Sequence, residues 1–132
     1  MKFNRTGWLV LILLAAVSLT ACSSSSQAGD QDPKDIKVEL ATEPAQARAG
    51  EATKLLATVT GLVNAKDGIV QFEIRKAGNK SLPELIEEVE HSGDGLYSAS
   101  FTFKEPASYD VYIHIYSGEL HITKKKPVEV IE

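Results

Sequence analysis

From residue 36 to residue 130, apolar side chains alternate with polar ones at a period of two, and most of the apolar ones are β-branched or aromatic. That is the pattern of strands buried on one face only. It predicts seven strands, at 36–42, 53–60, 69–76, 85–91, 97–103, 109–116 and 120–130. Between them stand turn formers: Pro44 and Gly50, Gly61 and Gly68, Gly78 and Pro83, Gly93 and Gly95, and the pair Ser117-Gly118. Turn signals at this spacing, with no convincing helix among them, point to an all-β sandwich. The acidic stretch 84–90 has the composition of a helical turn, but Pro83 and its brevity favour a strand.

Side-chain parity suggests a register for the last three strands. If Ser117-Gly118 is a two-residue hairpin turn, Ile113 stands opposite Ile122, Ile115 opposite Leu120, and His114 opposite His121. A five-residue loop from Lys104 to Ser108 would pair Phe103 with Tyr109, Phe101 with Val111, Ala99 with Ile113 and Tyr97 with Ile115. This predicts a meander whose inner face carries Tyr97, Ala99, Phe101, Phe103, Val111, Ile113, Ile115, Leu120 and Ile122. Its outer face would carry Tyr112, His114, Tyr116, His121 and Thr123. The segment Asp94-Gly95-Leu96-Tyr97-Ser98-Ala99 resembles the tyrosine corner of immunoglobulin-like domains, with Ala99 where an antibody domain has its second cysteine. The expected fold is therefore an immunoglobulin-like antiparallel β-sandwich of about seven strands.

The N-terminal pattern is different. Lys2 and Arg5 precede an uninterrupted apolar run from Trp8 to Val17, the charged start and short apolar middle of an export signal. Leu19-Thr20-Ala21-Cys22 then resembles the bacterial lipoprotein box, in which the cysteine receives a diacylglyceryl group and becomes the first residue of the mature protein. The run is shorter than the roughly 20 apolar residues of a spanning helix. Two or more acyl chains, at about 0.8 kcal/mol per buried methylene, hold a protein to a bilayer. Cys22 is the only cysteine, so no disulfide forms within the chain. The division expected is a signal peptide over 1–21, a lipidated cysteine and Ser-rich tether over 22–34, and one domain over 35–132, outside the cytoplasm and anchored to the cell membrane. The whole chain has a net charge of −4, and the removed segment takes two positive charges with it. That acidity disfavours nucleic acid as a partner.

With these elements placed, the chain from about residue 36 to its end resembles the YtkA-like domain family, which is related to FixH. The residues that carry the likeness are Pro44 with Ala49-Gly50-Glu51, Val70-Gln71-Phe72-Glu73, His91-Ser92-Gly93-Asp94-Gly95-Leu96-Tyr97, Phe103 with Tyr109-Asp110-Val111, and His114-Ile115 to Leu120-His121-Ile122 followed by Lys124-Lys125-Lys126. The resemblance implies an extracytoplasmic module without an established enzyme activity, whose FixH relatives are associated with cation handling and respiratory-oxidase assembly.

All three histidines, His91, His114 and His121, fall in the C-terminal part. Facing residues of an antiparallel pair have Cβ atoms about 4.5–5.5 Å apart, close enough for His114 and His121 to share one ion. Imidazole suits zinc or copper(II), and the mature chain offers no methionine for copper(I). His91 would be a third ligand, although its parity is that of the inner face if it stands across from Tyr97. The plainer reading, surface histidines with no ligand, is the favoured one on sequence alone. The glutamates at 84, 87, 88 and 90 read as a solvated surface, and Lys124-Lys125-Lys126-Pro127 as protection of a terminal edge strand. No nucleophile stands beside a base, so no enzyme is expected. The function expected is binding, of a divalent metal or of another envelope protein.

Overall fold

The computed structural model of the protein describes residues 31–80 and 82–132. The expected export signal, Cys22 and most of the expected tether lie outside the described residues. The described residues form nine strands: β1 (Lys37–Glu43), β2 (Ala47–Arg48), β3 (Ala52–Thr60), β4 (Ile69–Lys76), β5 (Glu84–Ile86), β6 (Glu90–His91), β7 (Leu96–Thr102), β8 (Ala107–Ser117) and β9 (Leu120–Ile131). A four-stranded sheet has the order β1-β3-β7-β6, and a five-stranded sheet the order β2-β9-β8-β4-β5. Every pairing is antiparallel except the short parallel one between β2 and β9. This is the immunoglobulin-like arrangement, with β1, β3, β7 and β6 in the first sheet and β4, β8 and β9 carrying the second.

The alternation of the sequence becomes the core directly. Leu55, Phe72, Phe103, Val111, Ile113 and Ile115 are fully buried between the sheets. Burying each such side chain contributes about 1.5–3 kcal/mol. Phe103 packs against Tyr109 and, edge to face, against Phe101.

Three expectations are corrected. The meander over 97–130 does not form, because β7 pairs with β3 and β6 in one sheet while β8 pairs with β4 and β9 in the other. The connection 103–106, shorter than the loop expected from Lys104 to Ser108, crosses between sheets, so Phe101 and Val111 face one core from opposite sides instead of sharing a ladder. In the β8–β9 hairpin, Ser117 pairs with Leu120, leaving Gly118 and Glu119 as the turn. Gly118 has φ 59° and stands first in that turn, where a type II′ hairpin wants glycine. The pairing slips by two residues from the expected one: His114 stands opposite Thr123, and His121 opposite Tyr116. Finally, the strand expected over 85–91 is split. Its first part, β5, borders one sheet and its last part, β6, the other, with 87–89 crossing between them.

The tyrosine-corner likeness also changes meaning. Tyr97 is the second residue of β7 in the four-stranded sheet, whereas that corner belongs to the strand that β8 represents. Its hydroxyl lies 3.3 Å from the Gly68 carbonyl and 3.4 Å from that of Ala65, and so fastens β7 to the connection between β3 and β4. A Cβ at position 68 would come within 2.7 Å of that hydroxyl oxygen, which is why glycine stands there. Burial pushes the Tyr97 phenol above its usual pKa.

Beyond its contact with β2 at Val130 and Ile131, β9 is an edge strand. Lys124 and Lys126 lie on its inner parity opposite Ile113 and Val111, half-buried, and Pro127 follows. Inward-leaning lysines and a proline discourage another chain from adding to such an edge, while the lysine stems cover the core margin.

Candidate metal centre

The outer face of the five-stranded sheet brings together side chains that sequence distance keeps apart. On β4, Glu73 and Arg75 point away from the core because Phe72 and Ile74 point into it. On β8, Tyr112, His114 and Tyr116 alternate with the buried Val111, Ile113 and Ile115. On β9, His121 and Thr123 share that face. The two-residue slip moves His121 to a diagonal position from His114, which preserves the face and remains within reach of long side chains.

The two imidazoles meet. His121 Nε2 lies 3.4 Å from His114 Nδ1, with ring centroids 5.6 Å apart. The other nitrogen of His114, Nε2, is 2.9 Å from Glu73 Oε2. A carboxylate at this position is an acceptor, so Nε2 donates to it; in the neutral ring Nδ1 is then left with its lone pair, whereas the protonated ring carries a hydrogen on both nitrogens. Thr123 Oγ1 lies 3.0 Å from the same Nδ1 and can donate its hydroxyl hydrogen to it. Tyr116 stacks on His121 at 4.3 Å and 11°. Each ring is thus held by a neighbour on the sheet.

Glu73 is also paired with Arg75, whose guanidinium lies 4.9 Å from the centre of the Tyr112 ring. Burial pushes the Glu73 carboxyl up, but hydrogen bonds from Arg75 and His114 and their positive charge outweigh it, and its pKa ends below the ordinary 4.5. The carboxylate therefore stays ionised beside His114 at neutral pH.

Two imidazole nitrogens bound to a tetrahedral ion at about 2.0–2.1 Å stand about 3.3 Å apart. The observed 3.4 Å matches that separation. A carboxylate behind the ligating histidine is the usual support of such a site, fixing ring orientation and raising basicity. Among the described residues no group of three or more histidine, cysteine, aspartate or glutamate side chains could hold an ion. The histidine nitrogens that approach each other on this face are His114 Nδ1 and His121 Nε2.

His91 is elsewhere. It lies on β6 in the four-stranded sheet, opposite Tyr97, and stacks on that ring at 4.2 Å and 9°. The pairing with Tyr97 is the one considered from parity, although His91 itself is exposed, and it places His91 in the other sheet, away from His114 and His121. The exposed Glu84, Glu87, Glu88 and Glu90 converge on no ion site; Glu84 is paired with Lys104 at 3.1 Å. Glu73 is the site residue that parity analysis did not single out. Its outward parity was visible, but its approach to His114 depends on pairing β4 with β8, and strands that distant in sequence carry no turn to set a register.

No protein-family model matches the chain, and no curated protein sequence matches it. Among solved structures, a superoxide reductase (neelaredoxin) from Ignicoccus hospitalis is similar over 72% of this chain and 79% of its own, with 11% identity and a TM-score of 0.46. Among the described residues no helix is long and apolar enough to cross a membrane.

Proposed function

We propose that the protein is a lipid-anchored, extracytoplasmic binding module of YtkA-like type that holds zinc or copper(II) on the outer face of its five-stranded sheet. His114 Nδ1 and His121 Nε2 are the ligands, and Glu73 is the support behind His114. The observation that carries this reading is the 3.4 Å approach of the two nitrogens with a carboxylate 2.9 Å behind one of them. Cys22, by its place after the apolar run, provides the anchor to the bilayer. The family assignment rests on the quoted residues alone.

Titration calorimetry of the mature chain tests the metal reading. Wild type should bind zinc and copper(II), and each of His114→Ala and His121→Ala should abolish most of that binding. His91→Ala should leave it intact. Binding that survives both single substitutions would overturn the assignment. A second reading, a metal-free protein-interaction module in the envelope, is favoured by the apolar side chains on the same face: Ile69 is 61% exposed and Leu85 51% exposed. Under that reading no ion binds, and Ile69→Glu alone removes the partner.

A further inference from the structure

We infer that the ion is shared by a second copy of this chain, two molecules clasping it between the outer faces of their five-stranded sheets. This rests on the metal-binding reading above. Zinc in a closed site takes four ligands, and this face supplies two nitrogens, with no third histidine, cysteine, aspartate or glutamate among the described residues to join them. A tetrahedral ligand set divides into two equivalent pairs related by a two-fold axis. That is the symmetry of the commonest homodimer, in which one patch meets its own copy. Two pairs of imidazoles then fill the coordination sphere without any other donor.

The surroundings suit such a contact. Ile69 pairs with Tyr116, and Tyr116 stacks on His121, so an apolar side chain 61% exposed lies on the same face, one strand beyond the tyrosine that holds His121. Leu85, 51% exposed, stands opposite Glu73 on the same face. The charges nearby alternate in sign, Glu73 with Arg75 and Asp110 with Lys125, so two such faces do not confront each other with one charge. Anchored in one leaflet, the copies would meet at a raised effective concentration.

Sedimentation velocity of the mature chain carrying Cys22→Ser, titrated with zinc alone, tests the inference. The sedimenting mass should double as zinc is added, the end point should fall at one zinc per two chains, and a chelator should restore the monomer. Ile69→Glu should bind one zinc per chain and remain monomeric, whereas His121→Ala should neither bind nor associate. Wild type binding one zinc per chain as a monomer would overturn the shared site and leave the metal reading standing. Absence of zinc binding would overturn both. A dimer that forms without zinc, or one that Ile69→Glu leaves unchanged, would also overturn the shared site.

Discussion

The proposed metal reading makes a sharp prediction at Glu73, which would act on a bound ion only through His114. Its Oε2 accepts from His114 Nε2 at 2.9 Å, on a side chain only 13% exposed, and this contact orients the ring so that Nδ1 faces His121. Losing such a support typically lowers metal affinity 10–100-fold, or about 1.4–2.8 kcal/mol. Glu73→Gln keeps an acceptor oxygen and should fall near the lower end. Glu73→Ala removes the acceptor and frees the ring, and also leaves the Arg75 charge uncompensated near the cation, so it should fall near the upper end. Neither change should unfold the protein, since Glu73 lies on the outer face of the sheet and takes no part in the apolar core. Zinc titration calorimetry of the three proteins, with thermal melts of the metal-free forms as control, measures both quantities. Unchanged affinity in Glu73→Ala would refute the argument, as would a loss accounted for by unfolding.

Phe103→Ala should cost about 3–5 kcal/mol in denaturant unfolding because Phe103 is fully buried, the half-buried Phe101→Ala should cost less, and the outward-facing Ser100→Ala should cost little; equal costs for Phe103→Ala and Ser100→Ala would mean the faces are misassigned. Acidification should remove the contribution of Glu73: its folded pKa lies below its unfolded one, so that stability is complete above about pH 4.5 and is lost as the pH falls through the lower, folded value. Glu73→Gln should flatten this part of the acid-unfolding profile, and an identical profile would contradict it. Cys22→Ser should move the protein from the membrane fraction to the soluble one or leave it uncleaved, and unchanged membrane partitioning of a processed variant would disprove the anchor.

Faces were legible in the sequence and partners were not. The alternation in 97–103 and 109–116 tells which side chains turn inward, and Tyr97, Phe103, Val111, Ile113 and Ile115 are buried as expected. Parity is silent, however, on whether two inward-facing strands lie in one sheet or face each other across the core, and so a crossover looked like a meander. A slip of two residues in the β8–β9 hairpin preserves every face, which is why the histidine pair survived an incorrect register. The signal that would have corrected it is Gly118, better placed as the first turn residue than the second. The break in the strand expected over 85–91 was also visible: Ile86 and Val89, both packed against the core, are three residues apart and interrupt the two-residue period. The parallel pairing of β2 with β9 depends on contacts between residues 47–48 and 130–131, and no local pattern announces it.

The central claim, that His114 Nδ1 and His121 Nε2 are the ligands, is tested most directly by nitrogen-15 spectra of the three imidazole rings during zinc titration. The account predicts that the His114 Nδ1 and His121 Nε2 resonances move together to a metal-bound position while both His91 nitrogens stay where they were. No change in any ring, or His91 moving in step with the other two, would contradict it.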